Sequence, residues 1–333
     1  MFNHSTDRRI FIKRSATFSV LSAPLLVNSF TFSSKMNAAI DVGTSEIRIA
    51  LIGKDQAGLP KLTAYGTQKN EGLKNGIIEN TDEVSHRISK CIDSIQDAFK
   101  VKIIDVVSAL PGVTISGKTN LGGFDKLTST LKSSNITLRK IFLKNQVSAD
   151  AVLTSQEVTN GVLVIDIGAG TTSYSFYAKG KLIQALTLPL GGDLITSDLA
   201  MAIRSSTALA EKIKVDLSSI PNLTGFDFEV PALNGGSIRK LNAAVVPQII
   251  EPRITEIFEL ISHAKKQLGS DGGQIKSVVL TGGTSLSPSI SKISSEVFVL
   301  PTRLGTPTWS FITPDLLAGP RFSVLAGMAK SIL

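Results

Sequence analysis

Cysteine is nearly absent from this chain: Cys91 stands alone among 333 residues. An internal disulfide and a cysteine-based zinc cluster are therefore excluded. Cys91 falls at an apolar helical position, which predicts a buried, inert thiol. Histidine is as scarce, and His4, His86 and His263 lie too far apart in sequence to suggest a metal or acid–base site. Aromatic residues make up only 6% of the chain while apolar residues make up 42%, a balance that fits an α/β protein. No basic run carries interleaved aromatics, so no nucleic-acid partner is expected. The net charge of +8 is uneven, because residues 1–35 hold five cations (Arg8, Arg9, Lys13, Arg14, Lys35) against Asp7 alone. The rest is spread too thinly to imply nucleic-acid binding.

What is present is concentrated in three short stretches. Ile40-Asp41-Val42-Gly43-Thr44-Ser45 and Val164-Ile165-Asp166-Ile167-Gly168-Ala169-Gly170-Thr171-Thr172 each read as an apolar strand ending in Asp, then a glycine-containing turn with hydroxyls. Such a turn aims backbone N–H groups and hydroxyls at one spot, where they can hold phosphate oxygens. The carboxylates of Asp41 and Asp166 suit Mg²⁺, directly or through water. The third stretch, Ser277-Val278-Val279-Leu280-Thr281-Gly282-Gly283-Thr284, runs a strand into a glycine pair, over which a flat base can lie. One Asp-x-Gly-Thr is an ordinary structural turn. Three such stretches in this order resemble the two-lobed nucleotide clamp shared by actins, sugar kinases and heat-shock chaperones.

Periodicity supplies the frame. Asn37–Ile52 reads as a strand pair and Ile77–Glu79 as a short strand. Thr81 is placed to cap a helix with Val84, Ile88, Cys91, Ile95 and Phe99 on its apolar face. Val101–Leu110 is β-rich and ends at Pro111-Gly112. A short helix over Asp125–Ser134 turns Leu127 and Leu131 inward and closes at Asn135. Leu138–Leu143 is a strand, and a helix begins at Ser148. The second half repeats this logic: strand–turn–strand at 161–178, helices near 194–204 and 207–214, a paired helix at 241–268 bent at Pro247 and Pro252, a strand at 275–281 and a helix near 286–298. An α/β fold of two lobes follows, 36–160 and 161–333, behind an extension of residues 1–35.

Three further segments narrow the resemblance. Pro189-Leu190-Gly191-Gly192-Asp193-Leu194-Ile195-Thr196-Ser197-Asp198-Leu199-Ala200, Ala210-Glu211-Lys212-Ile213-Lys214 and Ile250-Glu251-Pro252-Arg253-Ile254-Thr255-Glu256-Ile257 resemble the FtsA family of bacterial cell division proteins. Chaperones and sugar kinases lack the Glu-Pro-Arg and Thr-Ser-Asp-Leu-Ala helices. The resemblance runs from about Met36 to the last residue. It implies an actin-like fold with ribonuclease H-like lobes, binding ATP and Mg²⁺. It further implies an adaptor that links the C-terminal peptide of the tubulin-like polymer FtsZ to the inner face of the cell membrane at the division site, among other division proteins. Asp41 and Asp166 would stand near Mg²⁺. Gly43, Thr44 and Ser45 from one lobe, and Gly168, Gly170, Thr171 and Thr172 from the other, would face phosphates. Gly282 and Gly283 would face adenine and ribose. Glu211 and Lys214 would touch ribose and base; as residues they equally read as a solvated i,i+3 charge pair.

Departures from the family pattern matter. Ser173 stands where many relatives carry a carboxylate, and Lys144-Asn145-Gln146 occupies the region of a catalytic Glu or Gln. Gln146 is the candidate to orient an attacking water, and slow turnover or none is expected. The two phosphate turns are only 125 residues apart, Asp41 to Asp166. That spacing predicts a shortened insert, called 1C in the family, at about 76–124, and puts self-association through it in question. Arg321–Leu333 resembles the last helix of an actin core, with no amphipathic membrane helix after it. Residues 1–35 then admit three readings: a twin-arginine-like export signal around Arg8-Arg9, a true start at Met36, or a membrane anchor with its basic flank toward the cytoplasm. The alternatives to a division adaptor are an actin-like platform protein of type IV pili and an enzyme of this fold, a sugar kinase or exopolyphosphatase.

Overall fold

The computed structural model describes residues 37–54, 60–115, 118–121, 123–218, 220, 225–231, 237–308 and 318–332. The expectations for residues 1–35 and for a start at Met36 fall outside them. Among the described residues no helix is long and apolar enough to cross a membrane.

The first lobe is built from β1 (Asn37–Val42), β2 (Glu46–Lys54), β3 (Pro60–Lys69), a two-residue hairpin of β4 (Leu73–Lys74) and β5 (Ile77–Ile78), α1 (Thr81–Phe99), β6 (Asp105–Leu110), β7 (Gly112–Ile115), β8 (Lys118–Leu121), α2 (Phe124–Ser133), β9 (Thr137–Leu143) and α3 (Lys144–Val152). The second follows with α4 (Ser155–Asn160), β10 (Val162–Ile167), β11 (Thr172–Ala178), β12 (Lys181–Leu188), α5 (Gly192–Ala202), α6 (Thr207–Ser218), β13 (Asp227–Val230), β14 (Arg239–Asn242), α7 (Val245–Gln267), β15 (Ser277–Thr281), α8 (Ile290–Phe298), β16 (Thr302–Leu304) and α9 (Ser323–Ser331).

Two sheets carry the lobes. The first has the order β3-β2-β1-β6-β9 and the second β16-β15-β10-β11-β12-β7-β8. In each, an antiparallel hairpin (β1–β2, β10–β11) adjoins a parallel partner (β6, β15). A parallel neighbour demands a crossover, so helices cover both faces and the central strands are apolar throughout. β10 is buried along its whole length, and β6 shows only its first residue to solvent. One face of the first sheet packs Ile40, Ile49 and Leu51 on α1 and α2 through Ile88, Ile95, Leu127 and Leu131. Its other face packs Ala39, Ala50 and Val107 on Val147 of α3 and Phe322, Leu325 and Met328 at α9. The second sheet buries Leu163, Ile165 and Phe176 beneath α5, α6, α7 and α8. α3 and α9 also meet that sheet, through Ala149, Val152 and Ala326 against Val162, Val164 and Val279. A Cβ on Gly327 would collide with the Val147 carbonyl, so these two shared helices touch backbone to backbone.

Several expectations change in detail. Asn80, one residue before Thr81, is the N-cap of α1, its side chain accepting from the Glu83 N–H at 3.0 Å. α2 does turn Leu127 and Leu131 inward, and Asn135 takes a left-handed φ of 57° just beyond it. α3 begins at Lys144, four residues before the expected Ser148. α7 is one continuous helix from Val245 rather than a pair. Pro247 falls in its first turn, where no N–H partner is needed, and only Pro252 lies in its interior. Residues 283–286 form a separate 3₁₀ turn before α8.

The expected insert over 76–124 is not a separate body. α1 and β6, which lie within it, are integral to the first lobe, β6 pairing with both β1 and β9. Only the hairpin β7–β8 leaves, and it extends the second sheet by pairing with β12. The division at residue 160 is likewise crossed at the far end, because α9 returns to cover the first sheet.

Candidate functional site

The two phosphate-type turns have the same backbone. Val42 pairs with Ile47 and Ile167 with Thr172, leaving four turn residues in each. The Gly43 N–H donates to the Glu46 carbonyl at 3.0 Å, and the Gly168 N–H donates to the Thr171 carbonyl at 2.8 Å. Those two N–H groups close their own turns and are not free for a phosphate, which corrects the expected donor set. Each turn is also pinned from outside. Asn70 donates to the Gly43 carbonyl at 2.7 Å, and Thr284 donates to the Gly168 carbonyl at 3.0 Å.

The turns face each other across a cleft of about 220 Å³. Asp41, Gly43, Thr44, Ser45, Asp166, Gly168, Thr171, Glu211, Lys214, Gly282 and Gly283 all line it. Three expected residues do not. Gly170 lies behind the lining, where a Cβ would stand 2.6 Å from the Thr44 hydroxyl, so this glycine lets the two lobes touch. Thr172 starts β11 with its hydroxyl buried and unpartnered among the described residues. Gln146 is exposed on α3 and outside the cleft. The residue that α3 sends into the cleft is its first, Lys144.

The two carboxylates differ sharply. Asp41 is 2% exposed and holds two cations: Lys144 Nζ at 3.0 Å from Oδ1 and Arg48 at 3.5 Å from Oδ2. Arg48 is the cross-strand partner of Asp41 in the β1–β2 hairpin and also pairs with Glu46 at 2.7 Å. Asp166 is as buried, but its cross-strand partner is Ser173, whose hydroxyl is engaged with Thr187 at 3.0 Å. The Ser323 hydroxyl donates to its Oδ2 at 3.5 Å. Burial pushes the Asp166 carboxyl up to about 6, with Asp41 adding to the rise and Lys144 opposing it. Gly282 is pressed onto this carboxylate at φ +87°, leaving no room for a Cβ.

The ribose-side candidates are not a solvated pair. Lys214 is 7% exposed and donates to the Gly192 carbonyl at 3.0 Å and to Thr196 at 2.8 Å, while pairing with Glu211 at 2.6 Å. Glu211 stays half exposed on the cleft side. Arg321 and Thr284 also line the cleft. Arg321 has no local sequence signal, because chain folding alone brings it there; Arg48 stands beside the first motif without a signal of its own, and Lys144 stands out in the sequence only as a neighbour of Gln146. Elsewhere, Cys91 is buried in the first lobe and burial pushes its thiol up to about 12, which makes it inert as expected.

The donor set does not fit Mg²⁺ well. Among the described residues no group of three or more carboxylate, His or Cys side chains converges. Both oxygens of Asp41 already face cations. Unit charges about 4 Å apart interact by about 4 kcal/mol in a partly solvated site, and a divalent ion would feel twice that from each.

The resemblance segments are joined in space. Arg253 of the Glu-Pro-Arg helix α7 grips Asp198 of α5 with two bonds, at 2.8 and 3.3 Å. Residues 163–327 match the family model described as cell division protein FtsA. The cell division protein FtsA of Pseudomonas aeruginosa is 24% identical, with 89% of each chain covered. That of Neisseria meningitidis is 26% identical, covering 87% of this chain and 88% of its own. Among solved structures, MreB5 of Spiroplasma citri bound to ADP superposes with a TM-score of 0.66 at 17% identity, over 90% of this chain and 97% of that one. The fold is thus the two-lobed actin-like one, and the chain is similar to FtsA cell division proteins over most of its length.

Proposed function

We propose that this chain is a nucleotide-binding scaffold of bacterial cell division that couples FtsZ to the cytoplasmic membrane. The observation that carries the nucleotide part is the convergence of both phosphate-type turns and the Gly282-Gly283 pair on one cleft. In that reading the hydroxyls and remaining N–H groups of Thr44, Ser45 and Thr171 meet phosphate oxygens. Lys144, Arg48 and Arg321 balance their charge. Gly282 and Gly283 lie under the base, with Glu211 and Lys214 on the ribose side. The division role rests on the match to FtsA proteins over most of the chain.

Binding is favoured over turnover. Hydrolysis needs a group that orients water. Gln146 is outside the cleft, Ser173 is turned to Thr187, and a lysine stands where α3 enters the site. ATP should raise the melting temperature of the full chain, since a ligand held only by the folded state stabilises it by mass action. Phosphate release should stay near background. Immobilised FtsZ C-terminal peptide should retain the chain, and inner-membrane vesicles should co-sediment with it, directly or through a membrane partner. No melting shift and no retention would overturn the reading.

A further inference from the structure

We infer that nucleotide binding in this cleft is independent of divalent metal, because Lys144, backed by Arg48, occupies the place of the metal as a built-in counter-charge. The inference rests on the nucleotide reading above and specifies how that site neutralises phosphate.

The argument begins with position. Lys144 is the first residue of α3, at the end of an edge strand that leads directly toward the cleft. Its side chain is 17% exposed, so the ammonium is largely withdrawn from water yet open on the cleft side. It lies 3.0 Å from Asp41 Oδ1, and Asp166 feels its charge. Arg48 takes the other Asp41 oxygen from the neighbouring strand and is 15% exposed. Asp41 is thus paired with two protein cations, one of which also acts on Asp166 through its charge. Mg²⁺ is usually held by one or two carboxylates together with phosphate oxygens and water, so it would compete with these cations for Asp41. Here one carboxylate is committed and the other is a buried acid pressed by Gly282. A nucleotide triphosphate still needs positive charge, and Lys144 and Arg48 are fixed donors that can meet its oxygens.

The occupant is a nucleoside polyphosphate as the free anion rather than its metal complex. The test is the melting temperature and the calorimetric affinity of the full chain for ATP, in excess EDTA and again in millimolar Mg²⁺. The expected result is the same affinity in both, within about twofold. Lys144→Glu adds a third carboxylate beside Asp41 and Asp166, and binding should then require Mg²⁺, with at least about a tenfold difference between the two buffers. Lys144→Arg keeps the charge and should retain binding in EDTA, which separates an electrostatic role from a packing one and stands in if Lys144→Glu does not fold. Wild-type binding in Mg²⁺ but not in EDTA overturns this inference and leaves the nucleotide reading intact. Loss of EDTA binding in Lys144→Arg also counts against it. Absence of binding in both buffers overturns the nucleotide reading, and this inference with it.

Discussion

The two lobes present the same turn twice and use it differently. In both, a strand ends in Asp, a glycine N–H closes a four-residue turn, and an outside side chain pins the glycine carbonyl. The cross-strand residue opposite the Asp is where they part: Arg48 faces Asp41, and Ser173 faces Asp166. The first lobe therefore holds a carboxylate locked between cations, and the second holds one whose ionisation is penalised by burial. A shared backbone motif fixes where a carboxylate points, while its neighbours decide what it can do.

That contrast can be broken most severely at Gly282. It has φ +87° and lies against the Asp166 carboxylate and the Ile167 backbone. Gly282→Ala should cost about 4 kcal/mol, combining the left-handed strain with overpacking. Urea unfolding of the purified chain reads this directly, and a loss below 1 kcal/mol would show that the close approach is not real.

Next comes the first lobe's ion pair. Lys144→Met should destabilise by about 3 kcal/mol, because it leaves the buried Asp41 with Arg48 alone. In a Lys144→Met, Asp41→Asn double-mutant cycle the two losses should be far from additive. Additive losses would mean that the pair carries no coupling.

The second lobe's carboxylate predicts the opposite sign. Asp166 has a folded pKa near 6 against an unfolded 3.8, so the folded chain takes up a proton between those values. Stability should fall as pH rises through that window, and the cost should be full above about pH 6. Two pH units correspond to about 3 kcal/mol. Asp166→Asn removes that cost but buries an amide that needs a partner, which takes back about 1 kcal/mol. The variant should therefore be about 2 kcal/mol more stable than wild type at pH 8, with the gap closing toward pH 4. A gap that is independent of pH would show that Asp166 is not the titrating group.

The smallest effect is the control for the first. Gly123 also has positive φ, at +78°, but no atom lies within 4 Å of where its Cβ would be. Gly123→Ala should cost only the backbone strain, about 1 kcal/mol. The difference between the two glycine variants isolates the close contact of Gly282 with Asp166 and the Ile167 backbone.

Much of this was legible in the residues. The three nucleotide stretches reached one cleft, because a strand, a glycine and a hydroxyl within a few positions are held together by local geometry. The α1 and α2 faces followed from helical period. Gln146 was chosen by its place in the Lys144-Asn145-Gln146 segment; α3 starts at Lys144, and it is the Lys144 side chain that lines the cleft. The insert over 76–124 was misjudged because pairing partners are not local: β6 belongs between β1 and β9, and β7–β8 belongs to the other lobe's sheet edge.

The sequence by itself determined the two turns and their carboxylates, since each depends on neighbours within one strand–turn–strand unit. Only the tertiary structure decided that Lys144 and Arg48 both close on Asp41, that Gly282 seals Asp166, and that Arg253 ties α7 to α5. Those contacts join residues 55 to 116 positions apart, apart from the Arg48 hairpin pair. Charge and burial at such sites depend on which strands and helices become neighbours, and packing of the whole chain sets that.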